Sequence, residues 1–210
     1  MSKEEEWFDI FDENMNRIGA APRSEVHAKG MWHQTFQCWI VSCEKEAPMI
    51  LLQLRHPDKD LFPDLLDISC AGHLAAGETI YDGVRELAEE LGIEAQFDEL
   101  LPCGIYAEED VISEQLADRE FCHVFVFKHD RPLKEYMLQP EEVSGLFAVP
   151  LQQFRELITH QLDAISAEGV LLTLNGSLQA VQRRIALNDI VPHPQDYYEL
   201  VFRGIDKLGL

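Results

Sequence analysis

The stretch over residues 72–93, GHLAAGETIYDGVRELAEELGI, constrains the fold of this chain more than any other. Its apolar residues recur at spacings of four, three and four, which places them on one face of a helix: Ile80, Val84, Leu87 and Leu91. Gly92 follows directly and is typical of a helix end in the left-handed conformation. The pattern therefore predicts a helix over residues 79–91 that packs against the rest of the chain through this face.

Three carboxylates lie beside this apolar face. Glu86 and Glu90 are four residues apart, and Glu89 is three residues from Glu86, so the side chains converge. Like charges at these spacings destabilise a helix by roughly a few tenths of a kcal/mol per pair, and a divalent cation with oxygen ligands would offset that repulsion. A glutamate-rich helix in an acidic protein is, however, more often a solvated face. The three glutamates alone leave both interpretations open.

The complete stretch favours the cation, because it resembles the Nudix box, Gly-x5-Glu-x7-Arg-Glu-U-x-Glu-Glu-x-Gly-U, in which U is aliphatic. Every specified residue type is present: Gly72, Glu78, Arg85, Glu86, Leu87, Glu89, Glu90, Gly92 and Ile93. In one departure, six residues (TIYDGV) separate Glu78 from Arg85, where the family has seven. We assign the missing residue to the loop before the helix, and so predict an unbroken helix from Arg85 to Glu90.

The resemblance implies a metal-dependent hydrolase that cleaves a diphosphate linkage in a small molecule, of the nucleoside-diphosphate type or a related one. Glu86, Glu89 and Glu90 would hold Mg²⁺ or Mn²⁺, since Mg²⁺ takes oxygen ligands and bridges to substrate phosphates. Arg85 would orient these glutamates through charge-assisted hydrogen bonds. Gly72 would shape the loop that leads into the helix, and the shortened spacing leaves the role of Glu78 open.

A narrower resemblance concerns the branch of this family that contains type I isopentenyl-diphosphate isomerases and the hydrolases related to them. It is carried by the segments WHQTFQCWIV, LQLRHPDKDLFPDLLDISCAGH and DREFCHVF. The resemblance implies a second metal site of His33, His73, Asp118 and Glu120, to which His27 is a further match with its spacing off by one. Taken singly, the histidines are more often loop or core residues, and Glu120 is equally a ligand, a base or a solvated strand end.

Two features favour a hydrolase over an isomerase. The isomerases place a catalytic cysteine directly before Gly-His, where this chain has Ala71. Cys70 is one residue too early, and one residue turns a strand side chain to the opposite face. The Arg-Glu-U-x-Glu-Glu motif, which such isomerases tend to lose, is intact here. An isomerase and a noncatalytic nucleotide-binding sensor of the same fold stay as alternatives, although a sensor typically has a broken box.

Two residue roles stay open from the sequence. The general base is either a box glutamate or Glu120. Arg55, at the end of a predicted strand, either grips a substrate phosphate in a bidentate manner or forms an ordinary ion pair. The substrate itself is not specified, because specificity in this family lies in loops outside the box.

Composition limits the partners. The formal net charge of −21 disfavours nucleic acid and anionic membranes, which need a basic surface. A small anionic substrate is still compatible, because bound cations invert the local field. No apolar run reaches the roughly 18 residues of a membrane span. Five scattered cysteines without a Cys-x-x-Cys motif, together with an acidic amino terminus, predict reduced thiols and a cytoplasmic protein. A homo-oligomer is compatible with the sequence.

Apolar segments before and after the box predict strands, which indicates an α+β fold. The resemblance implies the same, a mixed β-sheet sandwiched between α-helices. We expect a Nudix domain over residues 1–160 and a C-terminal helical segment over residues 161–210 packed on it, with helices at 177–188 and 194–208. The acidic stretch 107–118 has no strong apolar period and is predicted to be a mobile loop over the site.

One prediction follows from the residue before Gly72. Because Ala71 can neither donate nor accept a proton, we expect no dimethylallyl diphosphate when the protein is incubated with isopentenyl diphosphate and Mg²⁺. Chromatographic separation of the two isomers measures this. If the isomer forms, and the change Cys70→Ser abolishes it, the isomerase alternative is correct.

Overall fold

The structure is a computed structural model that describes residues 6–45, 47–113 and 116–210, and the side chains of all of these except 110–113, 116 and 117. The strands are β1 (Trp7–Phe11), β2 (Arg17–Pro22), β3 (His33–Ser42), β4 (Met49–Arg55), β5 (Leu66–Asp67), β6 (Cys70–His73), β7 (Leu101–Ser113), β8 (Leu116–Lys128), β9 (Val143–Pro150), β10 (Ala164–Leu172) and β11 (Leu178–Ala186). The α-helices are α1 (Arg23–Lys29), α2 (Arg85–Leu91), α3 (Leu151–Ile158) and α4 (Gln195–Asp206). Short 3-10 helices lie at Asp82–Val84, Phe97–Glu99, Leu133–Glu135 and Leu187–Asp189.

In the described part of the chain, nine strands form one sheet in the order β11-β10-β9-β4-β3-β8-β7, with β5 paired to β4 and β6 paired to β3. β3 and β8 run parallel, whereas the other strand pairs among the described residues are antiparallel. The hairpin of β1 and β2 is separate. The predicted α+β fold with a mixed sheet between helices is therefore confirmed. Among these residues, no helix is both long enough and apolar enough to cross a membrane.

Apolar side chains cover both faces of the sheet. On one face, side chains of α3 and α4 pack against the strands, and the buried residues include Trp39, Ile50, Phe147, Phe154, Tyr197 and Val201. On the other face, the apolar face of α2 packs down, and the buried residues include Phe36, Ile40, Leu51, Leu87 and Leu91. Each fully buried side chain of this size contributes about 1.5–3 kcal/mol. The stripe found in the sequence is thus what holds α2 on the sheet.

β3 positions the site through two different neighbours. Its pairing with β6 places Thr35 opposite His73, and its pairing with β8 places His33 opposite Glu120. Residues that are far apart in the sequence therefore meet at the start of one central strand.

The helix of the box begins later than predicted. Residues 80 and 81 form a turn, Asp82–Val84 form a 3-10 turn, and the α-helix runs over Arg85–Leu91. Gly92 ends it with a φ of 66°, in the left-handed region as expected. The helix is unbroken from Arg85 to Glu90, so that prediction is confirmed.

The mobile loop predicted over residues 107–118 is wrong for the described residues. β7 extends to Ser113 and β8 begins at Leu116, and the two strands pair antiparallel from Leu101↔Val126 to Ser113↔Leu116, with two shifts of register. β7 is the last strand of the sheet. Charged residues are common in such edge strands, because they discourage pairing with another chain. The acidic composition that resembled a loop is therefore that of an edge strand.

The helix predicted over residues 177–188 is also wrong, because this stretch is β11. β10 and β11 pair over their whole length, and β10 pairs with β9. The turn between them contains Asn175 and Gly176, with Gly176 at a φ of 80°. Asn-Gly is a strong hairpin signal. The segment 161–210 is therefore partly strand, and the sheet continues across residue 160. The helix predicted over 194–208 is confirmed as α4.

Gly169 on β10 provides a test of this packing. A Cβ at this position would overlap the ring of Phe147, which is its partner on β9 and is buried. We expect Gly169→Ala to lower the free energy of unfolding by about 1–3 kcal/mol, as for other overpacked sites. Urea denaturation measures it. In the control Gly19→Ala, the nearest atom to the new Cβ is 3.7 Å away on Ile10, so little change is expected. Equal responses would contradict the packing of β10 on β9.

Candidate functional site

Arg85, the first residue of α2, is the centre of a hydrogen-bond network. Its Nε and Nη2 donate to the two carboxylate oxygens of Glu78 at 2.9 and 3.0 Å. Its Nη1 donates to Glu86 at 2.5 Å and to Glu89 at 3.1 Å, and Nη2 also donates to the carbonyl oxygen of His73 at 3.2 Å. The guanidinium therefore connects the loop, the helix and β6. The contacts predicted for Arg85 are present.

The shortened loop still brings Glu78 to Arg85. The backbone N–H of Ala75 donates at 2.7 Å to Oε2 of Glu78, the oxygen that also accepts from Nη2 of Arg85. Gly72 lies against Glu86, and a Cβ at Gly72 would overlap the carboxyl group of Glu86. A glycine is thus required at this position if Glu86 is to lie between α2 and β6.

Glu86 and Glu90 are buried, with exposed fractions of 8% and 3%. Burial raises the pKa of Glu86 to about 7. Burial, followed by the nearby charge of Glu86, raises the pKa of Glu90 to about 8. The side chain of Glu89 is half exposed and contacts Arg85. Two adjacent buried carboxylates that resist ionisation form a donor set that fits Mg²⁺ or Mn²⁺, because a hard cation would stabilise the charged form of both.

A second group of ligand-type side chains lies on β3, β6, β8 and α1. It consists of His27, His33, His73, Asp118 and Glu120. The ligand atoms of the three histidines lie within 4.8 Å of one another, and so do those of His33, Asp118 and Glu120. The Nε2 atom of His73 is 3.5 Å from Glu120, and that of His33 is 3.7 Å from both acids.

A ring nitrogen of each histidine in this group is available to a metal ion. Nδ1 of His33 contacts the carbonyl oxygen of Met31 at 3.0 Å, which assigns the proton to Nδ1 and leaves the Nε2 lone pair free. The Nε2 atoms of all three histidines and Oδ1 of Asp118 are buried without a hydrogen-bond partner among the described residues. Such orphaned atoms fit a bound metal ion. Imidazole and carboxylate donors together suit a transition metal better than Mg²⁺.

Burial also sets the protonation of this group. It lowers the pKa of His27 to about 4, and it lowers the pKa of His73 well below the usual range. It raises the pKa of Asp118 to about 6, with a further contribution from the charge of Glu120. Phe8 stacks on His33 and His73, with ring centroids 5.4 and 4.7 Å apart. The imidazoles of His27 and His73 are thus neutral at pH 7, as metal ligands need to be.

The two groups lie on opposite sides of β6. Cys70 belongs to the apolar layer beneath α2, whereas Ala71 packs against the other layer. Strand side chains alternate, so Gly72 faces α2 with Cys70, and His73 points the other way with Ala71. Arg85 links the groups through the carbonyl oxygen of His73.

Arg55 is placed as an ion pair rather than as a free phosphate ligand. Its Nη1 donates to Asp67 at 2.7 Å, and its Nε and Nη2 donate to the carbonyl oxygen of Leu61. Asp67 in turn lies 3.4 Å from His193, whose other ring nitrogen lies 3.1 Å from Glu108. Glu108, Glu120 and Cys122 form a further group of adjacent ligand-type atoms.

Sequence reasoning did not identify Asp67, Glu108, Cys122 or His193. Contacts between these residues span up to 126 positions of the chain, and no local spacing signals them. The pairing of β7 with β8, which puts Glu108 opposite Glu120, would have revealed part of the set if residues 107–118 had been recognised as strand.

Comparison with known proteins shows the family of this chain. The model of the NUDIX domain family matches residues 31–168. An uncharacterized Nudix hydrolase of Clostridium acetobutylicum is 42% identical over 202 residues, which cover 96% of this chain and 98% of that protein.

More distant relatives extend the comparison. An isopentenyl-diphosphate Delta-isomerase of Photorhabdus laumondii is 30% identical over 73% of this chain and 82% of the isomerase. The crystal structure of DR0079 from Deinococcus radiodurans has the same fold, with a TM-score of 0.55, at 22% identity over 74% of this chain and 90% of that one. The predicted family is therefore confirmed, and with it the enzyme class: the chain belongs to the Nudix hydrolases.

Proposed function

We propose that this chain hydrolyses a diphosphate linkage in a small molecule and that it needs Mg²⁺ or Mn²⁺, held by Glu86 and Glu90 with Glu89 beside them. The observation that carries the proposal is the pair of buried carboxylates held beside Arg85. When bound, such a cation neutralises diphosphate oxygens and lowers the pKa of a water molecule.

Arg85 acts on the glutamates rather than on the substrate. Each of its three nitrogens already donates to a protein oxygen. The bidentate contact with Glu78 fixes the plane of the guanidinium, and Nη1 then fixes one oxygen each of Glu86 and Glu89. Charge-assisted bonds of this kind hold side chains in one orientation. The role of Arg85 is therefore to hold the metal ligands in place before the substrate arrives.

A box glutamate is a better general base than Glu120. Glu120 accepts a hydrogen bond from Thr35 at 3.0 Å and lies with His33 and His73, on the far side of β6 from α2. We assign it to the second group, as a ligand of a transition metal. Arg85 contacts only one oxygen of Glu89, and half of the Glu89 side chain is exposed, so its other oxygen can take a proton from water at the box.

An isomerase is the second candidate, because the second group resembles the metal site implied by the isomerase branch and a relative of that name is 30% identical. Isomerisation needs an acid and a base on opposite faces of one carbon skeleton. Ala71 has no such group, and Cys70 is buried beneath α2. Cys122 lies 3.6 Å from Glu120, on the same side. This arrangement favours hydrolysis.

The first test of the hydrolase removes one ligand charge. We expect Glu90→Gln to reduce the rate by orders of magnitude while the fold is kept, because the amide cannot replace a carboxylate ligand. Chromatographic quantification of the monophosphate products from a panel of nucleoside triphosphates, nucleoside-diphosphate sugars, dinucleotides and isoprenoid diphosphates measures it. Glu94→Gln removes the same charge from an exposed position just after α2 and should leave the rate unchanged. The proposal would be contradicted if the wild-type protein kept its turnover in chelator, or if Glu90→Gln kept the wild-type turnover.

The second test uses pH. Glu86 and Glu90 have pKa values of about 7 and 8 in the folded chain, against 4.5 for an ordinary glutamate. The folded state thus binds more protons than the unfolded state, so the stabilisation is present at low pH and is lost as the pH rises through 7 and 8. His193, with a pKa raised to about 10, adds to this loss above pH 6.5. The lowered pKa of His27 has the opposite effect on stability, but this effect is confined to pH values below about 6.5.

We therefore expect the melting temperature in chelator to fall between pH 6.5 and pH 9, and Mg²⁺ to raise it more at pH 8.5 than at pH 6.5, because binding needs both carboxylates ionised. Differential scanning calorimetry measures both effects. In Glu90→Gln, the increase caused by Mg²⁺ should be largely lost. A larger increase at pH 6.5 than at pH 8.5 would show that Mg²⁺ binds elsewhere.

A further inference from the structure

His193 lies in the segment between β11 and α4, beyond residue 168, where the match to the family model ends. The segment is fixed to β5 by the N–H of Val191, which donates to the carbonyl oxygen of Leu66 at 2.8 Å, and by a parallel bridge at Ile190. The imidazole stacks on Tyr197 at 4.5 Å, with the edge of Tyr198 at 5.8 Å. Backbone and aromatic contacts thus fix the position of the ring.

Both ring nitrogens of His193 face carboxylates. Nδ1 is 3.1 Å from Glu108 and Nε2 is 3.4 Å from Asp67, while the side chain is only 8% exposed. Carboxylates accept hydrogen bonds and do not donate them when ionised, so the ring satisfies both partners only with two N–H groups. With Arg55 on the other side of Asp67, the buried charges alternate in sign along the row Arg55, Asp67, His193 and Glu108.

This row ends at the second ligand group. Glu108 is the partner of Glu120 across β7 and β8. The thiol of Cys122 lies between them, 3.7 Å from Glu108 and 3.6 Å from Glu120. Two neighbouring carboxylates repel each other, and Cys122 has one proton to share between them. The two oxygens of Glu108 thus have different partners: Oε1 faces Nδ1 of His193, and Oε2 faces the thiol of Cys122.

We infer that His193 is a positioning residue of the second metal site: by holding Glu108, it leaves Glu120 free to act as a ligand together with His33 and His73. The inference rests on the proposed function only in assigning Glu120 to that site. It gives the C-terminal segment a role in the site, although none of its residues is itself one of the proposed ligands.

Cobalt(II) binding tests this, with millimolar Mg²⁺ present to occupy the box. The visible spectrum of Co²⁺ reports its ligand set and does not depend on turnover. We expect His193→Ala to weaken Co²⁺ binding by about tenfold, the lower end of the range for removing a group that orients a metal ligand, because His193 acts through Glu108. In a Glu108→Gln background, the same change should cost less than about twofold, because the residue through which His193 acts has lost its charge. Losses of equal size in the two backgrounds would overturn the inference.

The matched control is His160→Asn. His160 lies with His193 on the wall of one cavity of about 590 Å³ but is exposed. Its φ of 58° is one that asparagine tolerates, so Co²⁺ affinity should not change. If His193→Ala fails to fold, His193→Leu replaces it with the same two expectations, because leucine fills the space but has no donor for Glu108.

The outcomes separate this inference from the proposed function. If wild-type protein hydrolyses none of the diphosphates but binds Co²⁺ with the expected dependence on His193, the proposed function fails and the inference holds. If wild-type protein hydrolyses a diphosphate in Mg²⁺ but Co²⁺ binds equally well to His193→Ala, the inference fails and the proposed function holds.

Discussion

The network around Arg85 is the interaction on which the rest of the site depends. It brings together Glu78, Glu86 and Glu89 in a chain whose net charge is already −21. Without the guanidinium, the buried carboxylate of Glu86 would lose its ion-pair partner, and an unpaired buried charge typically costs about 3–5 kcal/mol. The same guanidinium contacts the carbonyl oxygen of His73, so it also fixes α2 against the strand that carries a ligand of the second group. The guanidinium of Arg85 thereby sets the position of the box relative to the sheet.

The central strand β3 supplies the second constraint. It pairs antiparallel with β6 and parallel with β8. Residues from three distant parts of the chain therefore meet at the start of β3. Alternation along β6 then separates the chemistry. Gly72 leaves room for Glu86 on one side, and His73 joins His33 on the other. Two ligand groups of different character, one of oxygen donors and one rich in nitrogen, are therefore held a strand's thickness apart. The oxygen donors of the first group suit Mg²⁺, whereas the imidazoles of the second group suit a transition metal.

The sequence was most informative where the signal was local. The stripe from Ile80 to Leu91 predicted α2, and the shortened spacing after Glu78 was correctly assigned to the junction before the helix. It failed where pairing decided the structure: β7 is acidic because it lies at an edge, and the apolar residues of β11 also fit helical spacing until its pairing with β10 is known. His193 contacts partners 85 and 126 residues away. No periodicity in one sequence encodes such distances, so the sequence suggested the proposed ligands but gave no sign of the residues that contact His193.

The protonation states of the two groups lead to one electrostatic conclusion. Burial shifts the carboxylates Glu86, Glu90 and Asp118 toward their neutral acids, and it shifts the imidazoles of His27 and His73 toward their neutral bases. For the acids, a bound cation would reverse this effect by stabilising the carboxylate form, whereas the neutral imidazoles are already in the form that binds a cation. A diphosphate approaching a chain of charge −21 is repelled until this happens. If the proposed function is right, the cation would bind before or together with the substrate, because it would neutralise the carboxylates that otherwise repel phosphate oxygens.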